Sequence, residues 1–438
     1  MNGSPEGPRK TGYWAAVSIG VGGMVGGGIF AVLGLATQLA GGGTPIAFAV
    51  AGAVALLTCY SYVRLTVAYP SQGGTVEFLN QAFGTGTVTG GLNVLLWLSY
   101  IVMLSLYAHA FGSYGATLIP GGPVALWRHV LLSGVVVAFT ALNAAGATVV
   151  GSLESVVVAL KTALLVVFVV AGVGTLEPAR LAPAAWADPL TLVAGGMVIF
   201  LAYEGFELIA NTAADVRDPG RTLPRAYFSA VGFVVLLYVT ISLVTVGNLS
   251  LQKIAASEDY ALAAAAKPFM GQLGFKLVAI AALLSTGSAI NATLYGAGRL
   301  SYIIAKEGEL PEILERKVWR RPIEGLLITS GLTLVLANSL DLSRISVMGS
   351  AGFLLVFSAV NGAAWRLRRR IKSNASIPAI GAVACLTALG VLIWQRVQAD
   401  PVEVLVLPAL VGAAFGVEFL YRRVSGKRRR TCLPPIGD

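Results

Sequence analysis

Gly20-Val21-Gly22-Gly23-Met24-Val25-Gly26-Gly27-Gly28-Ile29-Phe30 lies inside the first apolar run of the chain. Five glycines fall in the seven positions from Gly22 to Gly28. Each is about 1 kcal/mol less favourable than alanine in a helix interior, so the stretch predicts a helix that breaks. A break within hydrocarbon bares backbone N–H and C=O groups. It is tolerated only where that backbone lines a cavity or is buried in protein. The alternative is close helix packing, because Gly22-x-x-x-Gly26 and Gly23-x-x-x-Gly27 match the small-xxx-small pattern. Gly26-x-Gly28-x-x-Ala31 also fits a dinucleotide fingerprint in form, but no strand precedes it, and the match carries nothing.

The rest of the chain is membrane-like. Of 438 residues, 56% are hydrophobic and 12% charged, against roughly 25% charged in a soluble domain. Mean hydropathy is +0.77. Apolar runs near the length of a membrane span recur, without the alternation a barrel needs. The chain therefore reads as an all-α polytopic membrane protein with twelve transmembrane helices, near 14–40, 44–69, 88–118, 124–147, 150–174, 190–214, 222–248, 272–304, 322–339, 343–366, 377–395 and 402–421. Met1 to Lys10 is short and basic and has no small-residue cleavage site, unlike a signal peptide. Basic residues gather at Arg217/Arg221/Arg225, Arg316/Lys317/Arg320/Arg321, Arg366 to Lys372 and Arg422 to Arg430. With both termini cytoplasmic these clusters obey the positive-inside rule, so the net charge of +10 sets orientation in a plasma (inner) membrane. Nucleic acid is not needed to explain it. Cys59, Cys385 and Cys432 show no metal or redox spacing, and free thiols are expected.

Two further interruptions stand out. Lys161 sits in the middle of the fifth run, Ser155 to Val170. An amine at that depth must face a polar interior, find a partner or lose its proton. The bland reading pairs it with a buried carboxylate, such as Glu154, or with backbone carbonyls. The sharper one makes it a titrating group at an ion-coupling site. In the sixth run, Ile199-Phe200-Leu201-Ala202-Tyr203-Glu204-Gly205-Phe206-Glu207-Leu208 carries two carboxylates and a glycine. A helical spacing of three would put Glu204 and Glu207 on one face. No histidine or third carboxylate is near for a metal, and no nucleophile motif accompanies them for catalysis. Interrupted spans five helices apart point to a 5+5 inverted repeat. The division expected is a tail (1–13), a first repeat (14–174), a second repeat (190–366), helices 11 and 12 (377–421) and a basic tail (422–438).

At these residues the chain resembles the amino acid–polyamine–organocation superfamily of permeases. Gly26-Gly27-Gly28-Ile29-Phe30 is similar to its Gly-Ser/Thr-Gly-Ile-Phe motif, and Phe200 to Glu207 to its Phe-Phe-Ala-Tyr-x-Gly-Phe-Asp/Glu motif. Asp215-Val216-Arg217-Asp218-Pro219-Gly220-Arg221-Thr222-Leu223-Pro224-Arg225 resembles the following loop, and Arg299 to Pro311 the stretch after helix 8. A lysine in helix 5 is closest to the cationic amino acid transporter-like branch. The resemblance implies a LeuT-like fold and sodium-independent, proton-coupled amino acid uptake by alternating access, with no enzyme activity and no cofactor besides the coupling proton. Two departures are evident: Gly27 replaces a Ser or Thr, and Glu204 stands where relatives carry an apolar residue.

The mechanism this implies puts a substrate carboxylate on N–H groups of Gly26, Gly27 and Gly28, at the positive end of a half-helix. The ammonium would meet carbonyls near Met24, Phe200, Ala202 and Tyr203. An aromatic gate would move to Phe200 or Tyr203. Lys161 would bind carbonyls of Gly22 and Gly23. Glu204 could pair with the substrate amine, with a cationic side chain, with Lys161 or with water. Glu207, Ser285 and Thr286 are secondary candidates, although short hydroxyls also satisfy their own helix backbone. Partners are then a small amino acid or related amine and the lipid bilayer. A sodium-coupled symporter or an exchanger of the same fold are the alternatives, and a non-transporting sensor is the reading from another class. Neither the substrate side chain nor the oligomeric state is legible.

Overall fold

The computed structural model describes residues 11–121, 123–145, 150–306, 323–399 and 404–425. The expected tails at 1–10 and 426–438, the basic cluster at 316–321 and the end of the fourth motif lie outside the described residues, as does the side chain of Glu154.

Helices occupy all twelve positions expected from the sequence. In order they are α1 (Tyr13–Met24), α2 (Gly28–Ala40), α3 (Thr44–Ala68), α4 (Thr75–Phe83), α5 (Thr87–Ala116), α6 (Val124–Ala145), α7 (Val150–Gly172), α8 (Pro178–Leu181), α9 (Pro189–Val198), a 3-10 segment (Phe200–Asp215), α10 (Pro219–Asn248), α11 (Leu251–Ala256), α12 (Ala261–Lys306), α13 (Ile323–Ser339), α14 (Leu342–Arg366), α15 (Ser376–Ala399) and α16 (Val406–Ser425). Eight helices are long and apolar enough to cross a membrane, or up to 10 if each bent pair counts as one span. The two bent pairs are α1 with α2, at 44°, and α9 with the 3-10 segment, at 42°.

Local chemistry accounts for the ends. Gly41 closes α2 with φ 58, a left-handed conformation that a side chain resists. Asp188 caps α9, accepting from the N–H groups of Leu190 and Thr191 at 3.1 Å each. Hydrogen bonds from Thr191 and the backbone hold the Asp188 carboxyl below the usual carboxylate range. The eighth helix begins earlier than its apolar run suggests. α12 continues across Gly271, whose φ of 62 kinks it, back to Ala261. The short helices α4, α8 and α11 fill stretches that look like connections, being too short to show apolar periodicity.

One succession occurs twice. A broken helix is followed by a long helix, a short one and three long ones: α1/α2, α3, α4, α5, α6, α7, then α9/3-10, α10, α11, α12, α13, α14. α5 runs through the middle, its side chains almost all buried, against α12, α14 and α16. α6 and α7 turn residues such as Val137, Val156 and Val170 outward, as a lipid-facing surface does. α1 packs on the 3-10 segment, α10 and α7. Thr11, just before α1, exchanges backbone hydrogen bonds with Asp215 and Arg217. Cys59 and Cys385 are buried free thiols.

Candidate functional site

The glycine stretch does both of the things its sequence allowed. Gly26 and Gly27 fall in the break, while Gly20 and Gly23 pack. A methyl on Gly20 would come within 2.7 Å of Ile209, and one on Gly23 within 2.7 Å of the Gly205 carbonyl oxygen. Tight contact there holds α1 against the 3-10 segment without side chains between the two backbones.

A helix end leaves four carbonyls without intrahelical donors. At the end of α1 all four are accounted for. Val21 O accepts from Val25 N at 2.8 Å and Gly23 O from Gly26 N at 3.3 Å. Gly22 O accepts from Lys161 Nζ of α7 at 3.1 Å. Met24 O accepts from the Tyr238 hydroxyl of α10 at 2.6 Å. Val25 O, in the break itself, accepts from the Ser285 hydroxyl of α12. Lys161 is fully buried, and its amine is held by the last turn of α1.

The second break is tied from α14. Val198 O accepts from Ser346 and Ser350 Oγ at 2.7 and 2.8 Å, and Leu201 N donates to Ser350 Oγ at 3.2 Å. Between the two breaks the space is filled. Methyl groups on Gly26 and Gly28 would each come within 2.7 Å of alanine side chains, Ala289 and Ala202, and one on Gly27 would run into the Tyr107 ring. Phe200 stacks edge-on against Phe357. Tyr203 donates to Phe48 O at 3.0 Å and tilts against Tyr238. The Thr286 hydroxyl returns to Ala282 O of its own helix at 2.7 Å.

The carboxyl pair lies beside this packing. Glu207 Oε2 accepts from the hydroxyls of Tyr62 at 2.8 Å and Thr75 at 3.2 Å, and Oε1 from Tyr100 at 2.5 Å. Glu204 and Glu207 stand three residues apart in the 3-10 segment, a spacing at which side chains eclipse on one face. Both are buried. Among the described residues no group of three or more metal-ligating side chains forms.

A cavity of about 260 Å³ opens beside the break, between the C-terminal half of α1 and the C-terminal half of α12. Gly22, Gly23, Tyr107 and Glu204 line it, as do Gln72 and Arg299, where Arg299 donates to the Gln72 side-chain oxygen at 2.6 Å. Pockets for drug-sized ligands run roughly 300–1,000 Å³, so this one suits something smaller. Of the residues expected to hold a substrate, Glu204 lines the cavity with Gly22 and Gly23. Met24, Gly26, Gly27, Gly28, Phe200, Ala202 and Tyr203 sit in the packed layer beside it.

The family model described as amino acid permease matches residues 12–413. The chain belongs to the amino acid permease family. An uncharacterized protein, MJ0609, of Methanocaldococcus jannaschii is 37% identical over 80% of this chain and 80% of its own. The inner membrane transport protein YbaT of Escherichia coli is 35% identical over 88% of this chain and 90% of its own. The methylthioribose transporter of Bacillus subtilis is 23% identical over 92% and 91%. This permease is accordingly a membrane transporter for amino acids or amines and not an enzyme.

Several residues that shape the permease site are not singled out by the sequence reasoning above. Ser346 and Ser350 have helical spacing, a sign that was available. Tyr62, Tyr100, Tyr107 and Tyr238 look like ordinary aromatics of apolar runs. Tyr107 also explains the missing hydroxyl in the first motif: its ring fills the place where a side chain at Gly27 would go. Restoring the family residue with Gly27→Ser is expected to displace that ring and lower the melting temperature, with overpacking of about 1–3 kcal/mol. A melt unchanged from the parent would mean the ring yields freely.

Proposed function

We propose that this permease is a proton-coupled, sodium-independent symporter of amino acids, working by alternating access. The observation that carries the reading is Lys161 Nζ on the Gly22 carbonyl, at the unwound end of α1. A buried protonated amine supplies there the positive charge that a coupling cation would supply. It can do so only while it holds its proton, so occupancy of the amine is linked to the geometry of the break. Ser285, bonded to Val25 O on the other side, completes the clasp.

The repeated helix succession supports two repeats, 14–174 and 190–366, inserted in opposite senses, with twelve spans in all. The basic clusters support cytoplasmic termini in an inner membrane. In that orientation the cavity faces the cytoplasm. The opposite side is closed by Gln38 donating to Glu258 at 2.6 Å and by the Arg128–Asp259 ion pair at 3.1 Å. This is the inward-facing arrangement of the cycle. The substrate carboxylate would reach the N-terminus of α2 once Tyr107 and Ala202 withdraw from Gly27 and Gly28. One relative is named for methylthioribose, so the side-chain pocket, not the family fold, selects the cargo.

Proteoliposomes test the coupling. Purified protein is first screened by thermal shift against amino acids and polyamines, and the best stabiliser is used radiolabelled. Accumulation is expected under an inward proton gradient and unchanged by sodium. Accumulation that requires a sodium gradient, or only a preloaded counter-substrate, would replace this reading with one of its alternatives.

A further inference from the structure

The two buried carboxyl groups differ in their surroundings. Glu207 accepts from three neutral hydroxyls, which come from α3, α4 and α5. Glu204 lines the cavity and shares one face of the 3-10 segment with Glu207. A hydrogen bond between two carboxyl groups needs an O–H, because carboxylates only accept. Two carboxylates so close in a low dielectric also cannot both stay ionised. The hydroxyls decide where the proton rests: the group that accepts from three donors is the carboxylate, and its neighbour is the acid.

We propose that Glu204 is a carboxylic acid that donates to Glu207, and that its proton exchanges with the transport cavity. Other ionisable groups around the pair are Tyr62 of α3, Tyr100 and Tyr107 of α5 and Tyr227 of α10. Arg299 of α12 also lines the cavity, and Lys161 of α7 donates to the Gly22 carbonyl oxygen. α1 carries only Tyr13, and α2 and α9 carry no ionisable residue; the basic residues of α14, Arg344 and Arg366, stand near its ends. While protonated, Glu204 adds no charge to the cavity and accepts cargo bearing a carboxylate. Once the proton leaves, a bare carboxylate repels that cargo. The acid thus becomes a second proton position, on the substrate side of the break, with Lys161 on the other. Its place in a transport cycle rests on the symport reading; the proton itself does not.

Infrared spectroscopy of the purified full-length protein tests this without any ligand. At neutral pH the parent is expected to show a protonated-carboxyl band that shifts in D2O. Glu204→Gln, whose amide can still donate to Glu207, should lose that band and keep the parent melting temperature. Glu204→Leu, with the family's apolar residue type, should lose it as well, so failure of one variant to fold does not stop the test. Lys161→Ala should keep the band whether or not it still couples transport to protons. That separates failure of this inference from failure of the lysine reading. A parent without the band, or a band of full strength in both Glu204 variants, overturns the proposal.

Discussion

Lys161→Ala is expected to abolish accumulation driven by a pH gradient, bringing the internal to external substrate ratio down to about one. The expectation follows from where the amine sits. Lys161 is fully buried and donates to Gly22 O, one of the four carbonyls freed where α1 stops. On the proton-coupled reading proposed above, removing it takes away the proton that accompanies substrate across the bilayer. On that reading a gradient of one pH unit supplies about 1.4 kcal/mol per proton, enough for a roughly tenfold substrate gradient. Without that proton no such gradient can be sustained, although downhill flux can continue. Lys161→Met separates the charge from the packing of the stem, since methionine keeps much of the volume and none of the titration. Both variants should lose pH-driven accumulation, and the methionine variant should melt closer to the parent. Uptake still driven by protons in either variant, at matched expression, would remove Lys161 from the coupling step.

The residues that could be read from the sequence share one property: each conflicts with its local surroundings. Lys161 conflicts with the apolar run around it, and Glu204 and Glu207 with theirs. The glycines from Gly22 to Gly28 conflict with helix formation in a segment otherwise fit to be helical. Such conflicts are where a sequence departs from the pattern its fold would dictate, and they collect at functional positions. Helix positions were legible for the opposite reason, since every apolar run agrees with a helix. What stayed hidden agrees with its surroundings locally and acts only across the structure. Tyr62 and Tyr100 lie on different helices, and nothing in either run shows that both hydroxyls point at Glu207. Tyr238 closes the Met24 carbonyl from 214 residues away. The cavity lies beside the break and not within it because Tyr107 and Ala202 fill the gap, and that depends on packing alone. The proximity of Glu204 to Glu207 was readable from their spacing, but the unequal sharing of hydroxyl donors between them was not.

Gly205→Ala is expected to be a severely damaging single methyl. At Gly205 the added Cβ would overlap the Gly23 carbonyl carbon and the Met24 nitrogen, which are backbone atoms. A flexible side chain could rotate away from a new methyl, but two backbones in contact can only move apart. Separation would pull Gly22 from Lys161 and shift Glu204 relative to the cavity, because all of these hang from the same two segments. The penalty should therefore exceed the roughly 1–3 kcal/mol of ordinary overpacking and appear as a loss of both folded yield and transport. Gly134→Ala is the matched control. Gly134 lies within α6 and a methyl there meets nothing within 4 Å. The same change at that site should be neutral or slightly stabilising, since alanine favours a helix by about 1 kcal/mol over glycine. The comparison is made on detergent-solubilised protein by melting temperature and on proteoliposomes by uptake. If Gly205→Ala matched Gly134→Ala in both, α1 and the 3-10 segment would not be in backbone contact, and the breaks could not be mechanically linked through Gly23 and Gly205.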